Sequence, residues 1–261
     1  MRATREGKDW IFVSDAHFSG RKPGEMDSFI RFMVGEHERM DRLVILGDFF
    51  EFFFGFRGGV TTASFPFKEY LPVLECLRTL YREGIRLTYF EGNHDFSLGS
   101  FFREHLGIEV EVHPEGSEEM LGGKKAFVAH GDLSNPNQWT YRLLRRLLKN
   151  RFSYGLMNLA GPRLARAVAR KLSEMSYERS HREGSDGPPP AFKQFAYRRF
   201  REGYGVVILG HSHYPDEAEE TIEGKRCLYF NVGDWETHRS FLRYTPPDRF
   251  LLGRFEAEDR C

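Results

Sequence analysis

The chain has 261 residues, of which 40% are apolar and 29% are charged, a mixture typical of a folded globular protein and not of a disordered one. Its 38 Lys and Arg balance 38 Asp and Glu, which excludes a globally basic nucleic-acid-binding protein and an acidic chaperone. The three cysteines are far apart and form no CxxC pair, so a disulfide scaffold and a cysteine-rich zinc site are excluded and a reducing compartment is favoured. We expect residues 1–261 to form a single domain.

In chain order, short apolar runs that predict buried strands alternate with helical patterns. The charged segment Met1–Asp9 leads directly into the first run, so we predict no signal peptide, and no apolar window is long enough to predict a membrane span. Alternating strands and helices predict an α/β layered architecture. The predicted strands are Trp10–Ser14, Leu43–Leu46, Leu87–Phe90, Ala126–Ala129, Val206–Leu209 and Leu228–Val232, and the predicted helices are Met26–Glu38 and Lys68–Arg82.

The chain contains 25 phenylalanines, and six of them follow the second predicted strand closely. Packing in the core is the favoured interpretation of this cluster, and a lining for an apolar ligand is the alternative. The cluster consists of Phe49, Phe50, Phe52, Phe53, Phe54 and Phe56.

One region, from Gln138 to about Arg182, carries no strand signal and is both helical and basic. Residues 142–182 contain eleven Lys and Arg against two acidic residues, a local net charge of +9. Leucines recur at helical spacing, Gly161-Pro162 divides two predicted helices, and a Gly/Pro-rich link follows. We therefore predict a helical lid insertion over residues 138–190 that stands on the α/β domain.

Residue types that bind metal ions follow five of the predicted strands. The carboxyl ends of strands are where open α/β sheets bind ligands. Imidazole, carboxylate and amide donors without a thiolate suit Mn²⁺, Fe²⁺ or Zn²⁺, and two such ions about 3.5–4 Å apart can clamp a phosphoryl group. The sequence therefore predicts a dimetal site for phosphoryl chemistry. The five blocks are Asp15-Ala16-His17, Gly47-Asp48, Gly92-Asn93-His94-Asp95, His130-Gly131-Asp132 and Gly210-His211-Ser212-His213.

In this order, the five blocks resemble the calcineurin-like metallophosphoesterase superfamily. The resemblance implies a distorted β-sandwich flanked by helices, with two divalent metal ions at one end, and Mn²⁺ is the expected metal. It implies that His94 is a general acid or stabilises charge in the transition state, with Asp95 behind it to fix its tautomer and orientation. It assigns one ion to Asp15, His17, Asp48 and His213, and a second ion, which shares Asp48, to Asn93, His130 and His211.

The blocks SDAHF, LGDFFEFFFG, GNHDFSLG, VAHGD and LGHSHYP look most similar to the UDP-2,3-diacylglucosamine pyrophosphohydrolases of lipid A synthesis. A helical insertion after HGD and the late Gly233-Asp234-Trp235 also fit that family. The resemblance implies hydrolysis of this lipid-linked nucleotide to UMP and 2,3-diacylglucosamine 1-phosphate, in the cytoplasm at the membrane surface. The implied substrate contacts are Asn93, His94, Tyr141, Arg145 and His211, of which Tyr141 and Arg145 belong to the first lid helix.

The sequence departs from that family at two places. His94 stands where those enzymes commonly have Arg, and Asn135-Pro136-Asn137 stands where they usually carry an acidic residue. A phosphodiesterase or phosphatase acting on another nucleotide- or lipid-linked substrate is therefore the alternative. A non-catalytic interaction module is disfavoured, because all seven metal ligands are present.

Three interpretations of the basic lid stay open. It can contact an anionic membrane peripherally through residues 142–182, hold acyl chains in an apolar groove, or present a solvated basic face. Nucleic-acid binding is disfavoured because aromatic residues are not interleaved with the charges. The sequence indicates no obligate protein partner.

Overall fold

The computed structural model describes residues 7–55, 65, 67–135, 155 and 187–256. The predicted lid over 138–190 lies outside the described residues except for 155 and 187–190, and Tyr141, Arg145 and Phe56 also lie outside them. In the described part of the chain, two β-sheets pack face to face and helices cover their outer faces, so the predicted α/β layered sandwich is confirmed. Among the described helices, none is long and apolar enough to cross a membrane.

The described regular elements comprise thirteen strands and four α-helices. The strands are β1 (Asp9–Val13), β2 (Met40–Ile45), β3 (Phe53–Phe54), β4 (Arg86–Phe90), β5 (Asp95–Phe96), β6 (Val110–His113), β7 (Ser117–Leu121), β8 (Lys124–Val128), β9 (Val206–Leu209), β10 (Asp216–Ile222), β11 (Lys225–Asn231), β12 (Ser240–Thr245) and β13 (Arg249–Arg254). The α-helices are α1 (Pro23–Glu36), α2 (Leu71–Arg82), α3 (Gly99–Phe101, continued by a π-turn over Phe102–Leu106) and α4 (Pro190–Arg201).

The first sheet has the strand order β13-β12-β1-β2-β4-β6, in which β1, β2, β4 and β6 run parallel. The second sheet has the order β10-β11-β9-β8-β7, with β8, β9 and β11 parallel and antiparallel strands at both edges. A short parallel pair, β3 and β5, joins the loops that follow β2 and β4. Parallel strands end on the same side of a sheet, so the loops after β1, β2 and β4 meet at one edge.

The central strands are buried on both faces, which explains their continuous apolar sequences. In β1, Phe12 points into the core between the two sheets, whereas Ile11 and Val13 point toward α1 and α2. In β9, Val206 faces the other sheet, and Val207 packs under α4. The period-two alternation of a strand thus supplies two separate apolar layers from one short run.

The described members of the phenylalanine cluster are core residues. Phe49, Phe50, Phe53 and Phe54 are fully buried and Phe52 is 6% exposed, and they pack with the residues of α1, α2 and α3. Two of the ring pairs, Phe49–Phe50 and Phe52–Phe54, meet edge to face, with centroids 5.2 Å apart in the first pair. Core packing accounts for these five residues.

The six predicted strands and both predicted helices are confirmed, with ends that differ by up to three residues. Helix α4 was missed, although Phe192, Ala196 and Phe200 recur every four residues and form its buried face. Strands such as β10 were also missed, because their alternating burial leaves every second position polar and exposed.

Candidate metal centre

The loops that follow β1, β2, β4, β8 and β9 bring the predicted metal ligands together at one end of the sandwich. Three overlapping groups each have ligand atoms within 4.8 Å of one another. Asn93 joins the first of them through its contact with His130. The groups are Asp15 with Asp48, His130 and His211; Asp15 with His17 and His213; and His17 with Asp48 and His94.

In the first group, three ligand atoms lie around the Nε2 atom of His130. It lies 3.0 Å from His211 Nδ1, 3.2 Å from Asn93 Oδ1 and 3.5 Å from Asp48 Oδ2. The other ring nitrogen, Nδ1, lies 2.6 Å from the carbonyl oxygen of Leu46, which fixes the proton there and leaves the Nε2 lone pair facing the cluster. Two imidazoles, an amide oxygen and a carboxylate around one point fit a divalent cation.

The second group is built around the Oδ1 atom of Asp15, which lies 3.6 Å from His213 Nε2 and 4.0 Å from His17 Nε2. The other carboxylate oxygen, Oδ2, accepts hydrogen bonds from the His211 amide at 2.7 Å and from the Ser14 hydroxyl. Asp15 Oδ1 and His17 Nε2 are buried and make no hydrogen bond. Buried polar atoms without hydrogen bonds are rare in native proteins, and a cation between these two atoms would satisfy both.

Five of the predicted ligands have left-handed backbone conformations. Their φ angles are 48° at Asp15, 43° at His17, 48° at Asp48, 66° at His211 and 61° at His213. Asp and His tolerate this region better than most residues, but each occurrence still costs about 1–3 kcal/mol and persists only where the surroundings enforce it. Such strain concentrates at functional sites. Here the sharp turns that follow the strands direct the ligand side chains toward one another.

Two glycines allow the strand ends to pack against the ligand side chains. A Cβ atom at Gly92 would lie 2.1 Å from Asp48 Oδ1, and one at Gly210 would lie 1.9 Å from Ser14 Oγ. No side chain fits at Gly92 without moving Asp48, or at Gly210 without moving Ser14. The glycines of the GNHD and GHSH blocks are therefore part of the architecture of the ligand cluster.

The electrostatics of the cluster stabilise positive charge. Burial raises the pKa of Asp48, but His130 and His94 outweigh burial and hold this pKa well below its usual range. Burial raises the pKa of Asp15 to about 6, although His213 and His130 oppose the rise. Burial alone would lower the pKa of both His130 and His213, yet Asp48 raises the pKa of His130 to about 10 and Asp15 raises that of His213 to about 9. These carboxylates stabilise a proton at the positions where a metal ion would bind.

The other two histidines among the predicted ligands, His17 and His211, have lowered pKa values. Burial, with repulsion from His130, lowers the pKa of His211 to about 4. Burial and the neighbouring His94 lower the pKa of His17 well below its usual value. A neutral imidazole needs to lose no proton before it binds a metal ion.

His94 lies beside the ligand cluster, where the sequence predicted it. Its backbone amide donates to Asp48 Oδ1 at 2.8 Å, and its ring packs edge to face on His17 with centroids 5.0 Å apart. Ring atom Nδ1 lies 2.7 Å from the carbonyl oxygen of Glu51. The carbonyl of Glu51 therefore sets the orientation of the His94 ring.

The expected support of His94 by Asp95 is corrected by the structure, because the Asp95 carboxylate is engaged elsewhere. Its Oδ1 accepts from the amides of Asp48 at 3.1 Å and Gly92 at 2.9 Å, and its Oδ2 accepts from the Phe49 amide at 2.7 Å and the Tyr89 hydroxyl. Asp95 is fully buried and holds the loop that carries Asp48 against the loop that follows β4.

Sequence reasoning assigned no role to several residues that contact the ligands. The carbonyls of Leu46 and Glu51 orient His130 and His94, and backbone groups leave no signal in a sequence. Asp234 lies 3.5 Å from His213 Nδ1 through its Oδ2 atom. The available signal was Gly233-Asp234-Trp235, which the sequence analysis noted without a role.

The fold and this cluster define a metal-dependent hydrolase, and comparison with known proteins identifies the family. A family model of calcineurin-like phosphoesterases matches residues 11–215, a span that contains all five ligand blocks. The chain belongs to this family, and the protein is a metal-dependent phosphoester hydrolase.

Curated relatives match over most of the chain. The UDP-2,3-diacylglucosamine hydrolase of Stutzerimonas stutzeri is 29% identical over 230 residues, which cover 87% of this chain and 90% of that protein. The protein of the same name from Coxiella burnetii is 29% identical over 250 residues, covering 95% and 98%. Among solved structures, a metallophosphoesterase from Sphaerobacter thermophilus aligns with a TM-score of 0.44 and 12% identity, covering 97% of this chain and 90% of that one.

Proposed function

We propose that the protein hydrolyses the pyrophosphate bond of UDP-2,3-diacylglucosamine to give UMP and 2,3-diacylglucosamine 1-phosphate. The observation that carries the reaction type is the convergence of seven oxygen and nitrogen ligands, without a thiolate, at one end of the sandwich. The choice of substrate rests on the name shared by relatives that cover about nine-tenths of this chain or more.

Two divalent ions, with Mn²⁺ as the proposed metal, would be held by the two ligand groups. We propose that Asp48 serves both ions, and its membership of the group around His130 and of a group that contains His17 supports this. Such a pair of ions supplies Lewis-acid stabilisation of the phosphoryl charge and lowers the pKa of a water nucleophile. One ion is assigned to Asp15, His17, Asp48 and His213, and the other to Asp48, Asn93, His130 and His211.

His94 is the proposed general acid. With its Nδ1–H donated to the carbonyl of Glu51, the imidazolium form presents Nε2–H as a donor beside His17. A donor at this place can stabilise charge on a phosphoryl oxygen or protonate the leaving group. Asn93 and His211 border the same space, and Tyr141 and Arg145 are proposed substrate contacts on the lid.

The proposed place of action is the cytoplasmic face of a membrane, because the substrate carries two acyl chains. The basic segment 142–182, with its net charge of +9, is suited to contact with an anionic lipid surface. The same charge is suited to the phosphates of the substrate.

Phosphorus NMR tests the reaction directly. The purified protein is incubated with Mn²⁺ and UDP-2,3-diacylglucosamine in detergent micelles, and the reaction is quenched with a chelator before acquisition. We expect signals of UMP and of a sugar-lipid phosphate. Absence of both signals, with brisk hydrolysis of bis(p-nitrophenyl) phosphate, would refute the substrate and keep the reaction class.

A matched pair of variants links that turnover to the ligand cluster. Asp48→Asn should abolish product formation, because Asp48 belongs both to the group around His130 and to the group that contains His17 and His94. Asp41→Asn is the control. Asp41 is also a buried aspartate, but it lies at the start of β2, away from the ligand cluster, and it pairs with Arg86. Equal activity of the two variants would contradict the ligand assignment.

A second candidate function is supported by His94. The lipid A enzymes commonly carry Arg at this position, so a phosphodiesterase acting on another nucleotide- or lipid-linked substrate is the alternative. It predicts hydrolysis of soluble phosphodiesters without detergent or lipid, and the His94→Arg variant should then shift activity from the soluble ester toward the lipid substrate.

A further inference from the structure

We propose that Asp234 is a positioning residue that fixes the tautomer of His213 and thereby creates one of the two metal sites. The proposal rests on the ligand assignment made under the proposed function, and it does not depend on which phosphoester is cleaved. It gives a role to the Gly233-Asp234-Trp235 motif.

The ring of His213 lies between two carboxylates. Its Nε2 atom is 3.6 Å from Asp15 Oδ1, and its Nδ1 atom is 3.5 Å from Asp234 Oδ2. The ring also stacks on His17, with centroids 5.1 Å apart and an angle of 10° between the planes. A carboxylate beside Nδ1 keeps the proton on that nitrogen, which leaves the Nε2 lone pair for a cation bound to Asp15.

The two oxygens of Asp234 have separate partners. Oδ1 accepts from the amides of Thr237 at 3.1 Å and His238 at 2.8 Å, and it lies 3.0 Å from His238 Nδ1. Oδ2 faces His213. One oxygen therefore stabilises the turn over residues 235–238, and the other is available to orient the metal ligand.

The position of Asp234 is rigidly determined. Its side chain is buried, and its backbone carbonyl accepts from the Ser240 amide and hydroxyl, both at 3.0 Å. The next residue, Trp235, is fully buried, and its indole nitrogen lies 3.2 Å from Ser28 Oγ and 3.3 Å from the Glu25 carbonyl in α1. The Trp235 amide also contacts the carbonyl of Asp15 at 3.3 Å, so Asp234 is anchored to the loop that carries the ligand partner of His213.

The decisive variant is Asp234→Asn, because it separates the two roles. The amide oxygen can keep accepting from Thr237 and His238, which preserves the turn. The NH₂ group then replaces Oδ2 and donates to His213 Nδ1, so the ring proton must move to Nε2, where it blocks the metal. We expect Mn²⁺ affinity at one of two sites to fall about 10- to 100-fold, while the other site is unchanged.

The measurement is a Mn²⁺ titration of the substrate-free protein at constant pH, with free Mn²⁺ quantified by electron paramagnetic resonance. The control is His238→Ala, which removes a partner of Oδ1 and leaves Oδ2 beside His213, and it should bind two Mn²⁺ ions as the wild-type protein does. If Asp234 only stabilised the turn, Asp234→Asn would bind Mn²⁺ as the wild-type protein does, and His238→Ala would bind it more weakly. Wild-type affinity at both sites in Asp234→Asn would overturn the proposal.

A second measurement covers the case in which Asp234→Asn does not fold. Nitrogen-15 histidine spectra of the wild-type protein loaded with diamagnetic Zn²⁺ should show a downfield His213 Nδ1–H that exchanges slowly with solvent. Rapid exchange of that proton, or a proton on Nε2, would refute the role of Asp234. A wild-type protein that binds two ions but does not cleave UDP-2,3-diacylglucosamine would refute only the proposed substrate.

Discussion

Replacement of Asp95 by Ala tests whether this buried carboxylate is the organiser of the metal-binding loops. The side chain accepts hydrogen bonds from the amides of Asp48, Phe49 and Gly92, at distances between 2.7 and 3.1 Å, and from the hydroxyl of Tyr89. All of these donors are buried, and Asp95→Ala leaves them without an acceptor.

The expected cost follows from the number of donors. A buried donor without a partner costs about 1–3 kcal/mol, so three amides set a lower limit of about 3 kcal/mol. For a chain of this size, each kcal/mol lowers the melting temperature by about 2–4 °C, which predicts a decrease of about 6–12 °C. The conservative variant Asp95→Asn keeps an acceptor for the amides of Asp48 and Gly92 but directs an NH₂ donor toward the Phe49 amide. We expect its melting temperature to lie between those of the wild-type protein and Asp95→Ala.

Thermal unfolding in the presence of a chelator measures this decrease without a contribution from bound metal. The control is Asp41→Ala, a buried aspartate whose side chain pairs with Arg86 at 3.3 Å and which lies away from the metal centre. We also expect weaker Mn²⁺ binding by Asp95→Ala, because the Asp48 turn loses its support. A melting temperature within about 2 °C of the wild-type value would refute the assigned role, since it corresponds to less than about 1 kcal/mol.

Two further predictions concern pH and the lid. The metal-free protein should lose stability as pH rises from about 6.5 to about 10. In the folded protein burial lowers the pKa of His130, but Asp48 outweighs burial and raises this pKa to about 10. Folded His130 therefore keeps a proton that the unfolded chain releases near pH 6.5. Urea unfolding with chelator at both ends of this window checks the sign, and an unchanged slope in His130→Gln would contradict it. Replacing residues 141–171 by a short Gly/Ser linker should reduce lipid turnover more than about tenfold relative to bis(p-nitrophenyl) phosphate, since each buried acyl methylene contributes about 0.8 kcal/mol. Equal loss on both substrates would indicate a structural lid.

The sequence alone determined the class of chemistry. Strands buried on both faces leave continuous apolar runs, and the blocks after them, such as Asp15-Ala16-His17 and His211-Ser212-His213, stand out because polar ligand residues directly follow apolar ones. Parallel strands place the blocks after β1, β2 and β4 at one edge of the first sheet and the blocks after β8 and β9 at one edge of the second sheet. The meeting of these two edges depends on how the sheets pack. The half-buried strand β10 was not predictable, because its many acidic residues resemble a loop.

Only the tertiary structure decided how the ligands are oriented. The left-handed turns at Asp15 and Asp48, the carbonyls that hold His94 and His130, and the partners of Asp95 all depend on contacts between loops far apart in the chain. Asp95 follows His94 directly in sequence, yet its carboxylate bonds to the loop after β2, 46 residues away at Phe49. Neighbours in the sequence share a stretch of backbone, but their side chains can point in different directions. A hydrogen bond depends on that direction, which is set here by the packing of the two loops.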